Sequence, residues 1–261
     1  MSEPEPHIAG WRVARFASLG STNDEARTRA LAGDPGGLWV VAEEQTQGRG
    51  RQGRVWRSPR GNLYASVLLV DPCEAAIAPQ LGFVAGVALV NAARDLGAAD
   101  AAIKWPNDLL WQGAKLSGLL VEGLTIPGRR FVCVIGFGVN CVSSPEGLTY
   151  PVADLGRALA RPVSPAEVFA ALAARFDEMF RLWDRGGRFA DIRTRWLAAA
   201  AGLGGPARVA SARGTREGLF EGLDPSGRLL LRTPSGLEAV EAADLFLTPP
   251  MDAQVADESR N

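Results

Sequence analysis

The stretch Gly48-Arg49-Gly50-Arg51-Gln52-Gly53-Arg54 sets three arginines among three glycines, and Trp56 follows two positions later. Glycine lets the main chain take positive φ and bring N–H groups close to a ligand, while guanidinium forks donate in pairs to phosphate or carboxylate oxygens. The segment therefore has the chemistry of an oxyanion cradle, and the indole adds a flat face on which a nucleotide base can stack. A solvated basic loop with turn glycines fits the same residues, and the segment alone does not choose between the two. It does reject a dinucleotide fingerprint. Gly48, Gly50 and Gly53 match G-x-G-x-x-G, but Arg54-Val55-Trp56-Arg57-Ser58-Pro59 opens no apolar helix, and from position 70 onward only Asp71, before a proline, is offered as the acidic partner.

A second polar concentration is Lys104-Trp105-Pro106-Asn107-Asp108, followed by Lys115-Leu116-Ser117-Gly118. Lys115, between apolar neighbours on an expected strand and with no acid within two residues, is costly unless an anion meets it, which makes it a candidate electrophilic stabiliser. Solvent exposure at a strand end is the plainer alternative for it. Asn107 and Asp108 equally suit an Asx turn. Ser21-Thr22-Asn23 reads as a helix cap, and the glycines of Gly136-Phe137-Gly138-Val139-Asn140 read as bulges or as close backbone approach. Taken together, an arginine cradle, a tryptophan, a strand lysine, an acid and helix-start hydroxyls describe a pocket where a carboxylate and a nucleotide phosphate meet. Carboxylate adenylation demands such a pocket, because fixed cations must hold two anions side by side.

The elements that must position these groups follow from periodicity and breakers. A helix is expected from Ser21 or Thr22 to about Gly33, a buried strand over Leu38 to Ala42 leading into the arginine loop, and a second strand from Asn62 to Val70. Pro79 to Leu96 reads as a helix with Phe83, Val87 and Val90 on one face. Ile103 to Trp105, Leu109 to Trp111 and Leu116 to Glu122 form hairpin strands around Gln112-Gly113, and Phe131 to Asn140 forms another strand. Helices return at 165–185 and 188–201, after which short strand-like runs separated by turn signals describe a small SH3-like barrel. The expected organisation is α+β: residues 1–204 as a catalytic unit with 1–10 a flexible lead, 205–247 as the barrel, and 248–261 a disordered tail.

Composition limits the partners. With Lys+Arg 28 against Asp+Glu 29, the formal net charge of −1 provides no global field for nucleic acid or anionic membrane. The three cysteines, Cys73, Cys133 and Cys141, lack metal spacing, and the one histidine is His7, so no metal site is expected and histidine base catalysis is disfavoured. An acidic start without an apolar core, and no run long enough to span a bilayer, point to a cytoplasmic protein.

The chain resembles the biotin–protein ligases over about residues 16–247. The resemblance is carried, in order, by Ser21-Thr22-Asn23, Gln45-Thr46-Gln47-Gly48 through Trp56, Asn62-Leu63-Tyr64-Ala65-Ser66, Lys104 to Asp108, Lys115 to Glu122 and Gly136 to Asn140. It implies a mixed sheet with packed helices, the catalytic fold of biotin and lipoate ligases, followed by an SH3-like domain. The implied reaction converts biotin and ATP, with Mg2+ carried by the nucleotide, to biotinyl-5′-AMP. Biotin then passes to a lysine of the biotin carboxyl carrier domain of acetyl-CoA carboxylase, with other biotin enzymes as further acceptors. The resemblance assigns Ser21, Thr22, Asn23, Gln45, Arg49, Gly50, Arg51, Lys115 and Gly118 to biotin, and Arg49, Arg51, Arg54, Trp56, Asn107 and Asn140 to the nucleotide. Lys115, Arg51 and Asp108 carry catalysis, Asp108 by orienting or deprotonating the acceptor lysine. Because the first motif begins at Ser21, a monofunctional enzyme without the repressor's DNA-binding domain is expected, with no specific DNA target. The competing readings are a lipoate or octanoate ligase or transferase of the same superfamily and, in a different class, a non-catalytic nucleotide- or RNA-binding module.

Overall fold

The computed structural model describes residues 7–126, 131–211, 214–241 and 244–247. The expected tail, 248–261, lies outside them, as do residues 1–6 of the expected lead. The remainder of that lead is not loose: β1 (His7–Ile8) pairs antiparallel with β2 (Trp11–Phe16) across a turn in which Ala9 and Gly10 both have positive φ. β2, which the sequence reading passed over, then pairs parallel with β3 (Leu38–Ala42), with α1 (Thr22–Leu31) as the crossover.

Six further elements complete the large sheet and its helical cover: β4 (Leu63–Val70), α2 (Gln80–Asp95), β5 (Ala101–Lys104), β6 (Asp108–Trp111), β7 (Ala114–Thr125) and β8 (Phe131–Val139). The strand order is β1-β2-β3-β4-β8-β7-β6-β5, and all pairings except β2–β3 are antiparallel. The short α3 (Leu155–Leu159) and the longer α4 (Pro165–Trp183) and α5 (Phe189–Ala198) follow.

Alternation along the strands sorts the two faces. Leu63, Ala65, Val67, Ile135 and Phe137 belong to the main core, which includes α2, α4 and α5, whereas Val40, Leu68, Val132 and Val134 belong to a smaller cluster with Ala26 and Ala30 of α1. Edge-to-face contacts of Trp39 with Phe169 and Phe176 tie α4 to the sheet. α2 differs from the one-faced helix expected: Phe83, Val84, Ala85, Val87, Ala88, Leu89 and Val90 are all buried, because the helix lies between the sheet and α4 and α5. No described helix is long and apolar enough to cross a membrane.

Five strands, β9 (Pro206–Ser211), β10 (Gly214–Leu223), β11 (Leu229–Thr233), β12 (Gly236–Val240) and β13 (Asp244–Leu247), form an antiparallel sheet in the order β12-β11-β10-β9-β13. Its core residues Val209, Phe220, Leu231 and Leu245 are continuous with the main core. The two parts are also joined by hydrogen bonding, since Arg193 of α5 donates to the carbonyl of Leu223 at 2.8 Å. Burial pushes the thiols of Cys133 and Cys141 up to about 12, so both stay protonated core residues, as the sequence indicated.

Candidate active site

The α1 face of the large sheet is bare where β7 and β8 carry glycine. Gly118 and Gly138 are direct cross-strand partners, and Gly136 pairs with Leu120. The omitted side chains are filled by neighbours from elsewhere. A Cβ on Gly138 would stand 2.5 Å from Trp56 Nε1, and one on Gly136 would collide with Asn23 Oδ1. The result is a cavity of about 780 Å³ with the glycine ladder as part of its wall.

One end of the cavity is neutral and tightly hydrogen-bonded. Ser21 caps α1 through Asp24 N–H, so Thr22 and Asn23 open the helix at the sheet surface, where all three side chains are buried. Gln45 Oε1 accepts from the Thr22 main-chain N–H at 2.8 Å and from its hydroxyl at 3.0 Å, and Gln45 Nε2 donates to Ser58 Oγ at 3.1 Å. The fully buried Ser66 hydroxyl lies 2.7 Å from Thr22 Oγ1 and 2.6 Å from Asn23 Oδ1; with one proton it donates to only one of them at a time. Asn23 Nδ2 in turn donates to Glu122 at 2.6 Å.

The other end is ionic. The arginine loop closes on itself through Gly50 N–H to Arg54 carbonyl at 2.7 Å and Trp56 N–H to Gly48 carbonyl at 2.9 Å, with Gln52 in the left-handed region at φ 57°. Its cations are paired within the chain. Arg49 donates to both oxygens of Asp24, at 2.5 and 2.7 Å, and to Glu122 at 3.2 Å, bracing the loop against α1 and β7. The hydrogen bonds Arg49 donates to Asp24, with Glu122 adding to them, push its guanidinium far above its ordinary range, and the same contact holds the Asp24 carboxyl below its own. Arg51 donates to Asn107 Oδ1 at 3.2 Å and faces Asp244 of β13 at 3.5 Å, and Arg54 pairs with the same Asp244.

Lys115 was expected without an acid partner. The β6–β7 hairpin, whose register shifts by a bulge between Leu109 and Leu110, instead brings its Nζ to 2.7 Å from Asp108 Oδ1. The same ammonium lies 5.4 Å from the Trp56 ring centroid and 5.8 Å from that of Tyr150. Trp56 itself packs against Gly118 and Gly138, and its buried Nε1 has no hydrogen-bond partner among the described residues. An orphan donor of this kind costs about 1–3 kcal/mol.

Of the residues singled out in the sequence, Ser21, Thr22, Asn23, Gln45, Arg49, Gly50, Arg51, Arg54, Trp56, Asn107, Asp108, Lys115 and Gly118 all line this cavity. Asn140 does not. It is buried, its Nδ2 donates to the Ala153 carbonyl at 3.0 Å, and its main chain bonds to Leu116 and Leu155. Its amide thus fastens the segment around 153 to β7, and that segment bonds to Lys115 at both its N–H and its carbonyl. Three acids absent from the sequence assignment support the site: Asp24, next to a quoted motif, and Glu122, which ends one, hold lining residues, and Asp244, for which no local signal exists, lines the cavity. Phe246 and Leu247 also line the cavity, so the small sheet supplies part of the wall.

An arrangement with a neutral donor–acceptor end, an aromatic wall and an ionic end has recognisable relatives. Residues 16–140 match the biotin/lipoate A/B protein ligase family, and residues 203–247 match the biotin protein ligase C terminal domain. A biotin–[acetyl-CoA-carboxylase] ligase of Paracoccus denitrificans is 42% identical over 243 residues, covering 88% of this chain and 98% of that one. The bifunctional ligase/repressor BirA of Bacillus subtilis is 33% identical, over 92% of this chain and 75% of its own length. Among solved structures, the biotin protein ligase of Aquifex aeolicus in complex with biotin and ATP superposes with a TM-score of 0.79 at 26% identity, covering 90% of this chain and 99% of that one.

Proposed function

The chain belongs to the biotin protein ligase family, and from that premise we propose that it joins biotin to ATP as biotinyl-5′-AMP and passes the biotinyl group to a lysine of the carboxyl carrier domain of acetyl-CoA carboxylase. The observation that carries this reading is the polarity of one continuous cavity. Its volume of about 780 Å³ is within the range for enclosing a molecule of this size, with complementary chemistry at its two ends.

At the neutral end, the Ser21, Thr22, Asn23 and Gln45 network offers donors and acceptors already oriented by one another, which suits an uncharged ureido ring and discriminates against an acyl chain lacking one. The valeryl chain would run along the glycine wall past Gly118 and Gly138. At the ionic end, Lys115 and Arg51 would neutralise the biotin carboxylate and the α-phosphate, so that carboxylate oxygen attacks phosphorus while pyrophosphate departs. Trp56 would provide the apolar face for adenine, with Arg54 and Asn107 beside it. Mg2+ would arrive on the nucleotide phosphates. Residues 1–204 act as the catalytic unit in this reading, and 205–247 as a domain that completes its wall.

The direct test is formation of AMP and pyrophosphate from ATP by the purified protein. Both should appear only when biotin is supplied, and the carrier domain should then acquire biotin on one lysine. Turnover with lipoate or octanoate in place of biotin would refute the assignment.

A further inference from the structure

Lys104 ends β5 directly opposite Asp108, its cross-strand partner. Its Nζ lies 3.2 Å from Asp108 Oδ2, whereas Lys115 Nζ lies 2.7 Å from Oδ1. Two ammonium groups thus hold the two oxygens of one carboxylate whose side chain is only 12% exposed. The three groups carry one surplus positive charge. A cationic surplus in a partly dehydrated wall is relieved by an anion. Both lysines line the cavity; Lys104 is tied to Asp108 as its cross-strand partner, whereas Lys115, between the rings of Trp56 and Tyr150, is not, and is the member we take to turn toward one. When it does, Oδ1 is left as a site that has already shown the distance and charge needed for a lysine ammonium, while Lys104 keeps Oδ2.

We propose that Lys104 is a positioning residue for the transfer step: it anchors Asp108 so that the Oδ1 position held by Lys115 is handed to the ammonium of the incoming acceptor lysine. The inference rests on the ligase reading above and adds to it the way the acceptor is received. The acceptor ammonium gives one proton to Asp108 Oδ1, and its freed lone pair forms the C–N bond at the biotinyl carbonyl. The C–O bond to the phosphate breaks with its electron pair leaving on AMP, and the second nitrogen proton passes to water. Lys104 touches none of the reacting atoms; its work is to stop the carboxylate from rotating after Lys115.

The experiment preloads the protein with biotinyl-adenylate and follows a single turnover with two nucleophiles, the carrier-domain lysine and hydroxylamine. Hydroxylamine is already a free base at neutral pH and needs no carboxylate to receive it. In Lys104→Met, transfer to the lysine should slow on the order of tenfold to a hundredfold, as for a misplaced catalytic group, while transfer to hydroxylamine is preserved. Lys104→Arg, which restores a cation, should recover most of the lysine rate. Equal loss toward both nucleophiles, or no loss toward the lysine, in a protein that still forms adenylate overturns the proposal alone. If the unsubstituted protein forms no biotin-dependent adenylate, the ligase reading fails and the proposal with it.

Discussion

The two ends of the cavity are built on opposite principles. Around Thr22, Asn23, Gln45 and Ser66, neutral groups hold one another in a hydrogen-bonded network in which Thr22, Asn23 and Ser66 are buried and Glu122 accepts from Asn23, so the geometry is set before any ligand arrives. Around Arg49, Arg51, Arg54, Asp108 and Lys115, each cation is held by a carboxylate or amide of the chain itself, in side chains that remain partly exposed. In the proposed reaction the neutral end would select by fixed shape. The ionic end would work by exchange, internal carboxylates holding the cations until phosphate and carboxylate oxygens compete for them. One end would then supply specificity and the other charge where the reaction develops it.

The largest expected effect lies at the ionic end. Lys115→Gln should slow adenylate formation by roughly a hundredfold while biotin affinity changes little, because the charge is needed at the α-phosphate rather than at the ring. Rapid-quench measurement of the first step checks this, and an unchanged rate would remove Lys115 from the chemistry. Ser66→Ala should act at the neutral end and differently: it strips a buried hydroxyl shared by Thr22 and Asn23, lowering stability by about 1–3 kcal/mol and weakening biotin binding. Denaturant unfolding and titration calorimetry at two salt concentrations test the contrast, since the loss should be insensitive to salt. If added salt abolishes it, the two ends are not distinct in kind.

The smallest effect concerns the Asp24–Arg49 pair. Hydrogen bonding to Arg49 holds the Asp24 carboxyl below its usual range, so its contribution to stability is present above the unfolded-state value and is lost as pH falls through the folded-state one. Asp24→Asn should therefore cost well under about 1 kcal/mol at neutral pH, given the exposure of the pair, and the difference from the unsubstituted protein should begin to shrink near about pH 4 and vanish only below the lowered folded-state value. A difference that persisted in acid would show that Asp24 acts through packing instead.

What the sequence made legible was local. The arginine loop, the Ser21 cap, the strand glycines and the β6–β7 hairpin each declare themselves within a few residues, and they fall where expected. What it hid was pairing at a distance. Arg49 meets Glu122 from 73 positions away, Arg54 meets Asp244 from 190, and even Lys115 finds Asp108 only because a bulged hairpin folds the two together. Motif reading assigned Asn140 to the nucleotide since it follows the glycines of β8, yet the turn of the chain after Val139 directs its amide at Ala153. The first strands were missed for another reason. Their hairpin turns on Ala9 in a left-handed conformation that alanine seldom adopts, so Gly10 alone marks it in the sequence.

The strand Asp244–Leu247 has a consequence in time. Its Asp244 meets Arg54 from 190 positions away, a non-local contact of the kind expected to form late in folding. The large sheet can assemble first from shorter-range pairings, but the wall over the arginine loop is complete only when this strand has docked. In the proposed reaction, a half-folded chain would therefore lack the enclosure needed to keep a mixed anhydride from water and from stray amines, and late closure would confine the making of that intermediate to molecules able to hold it.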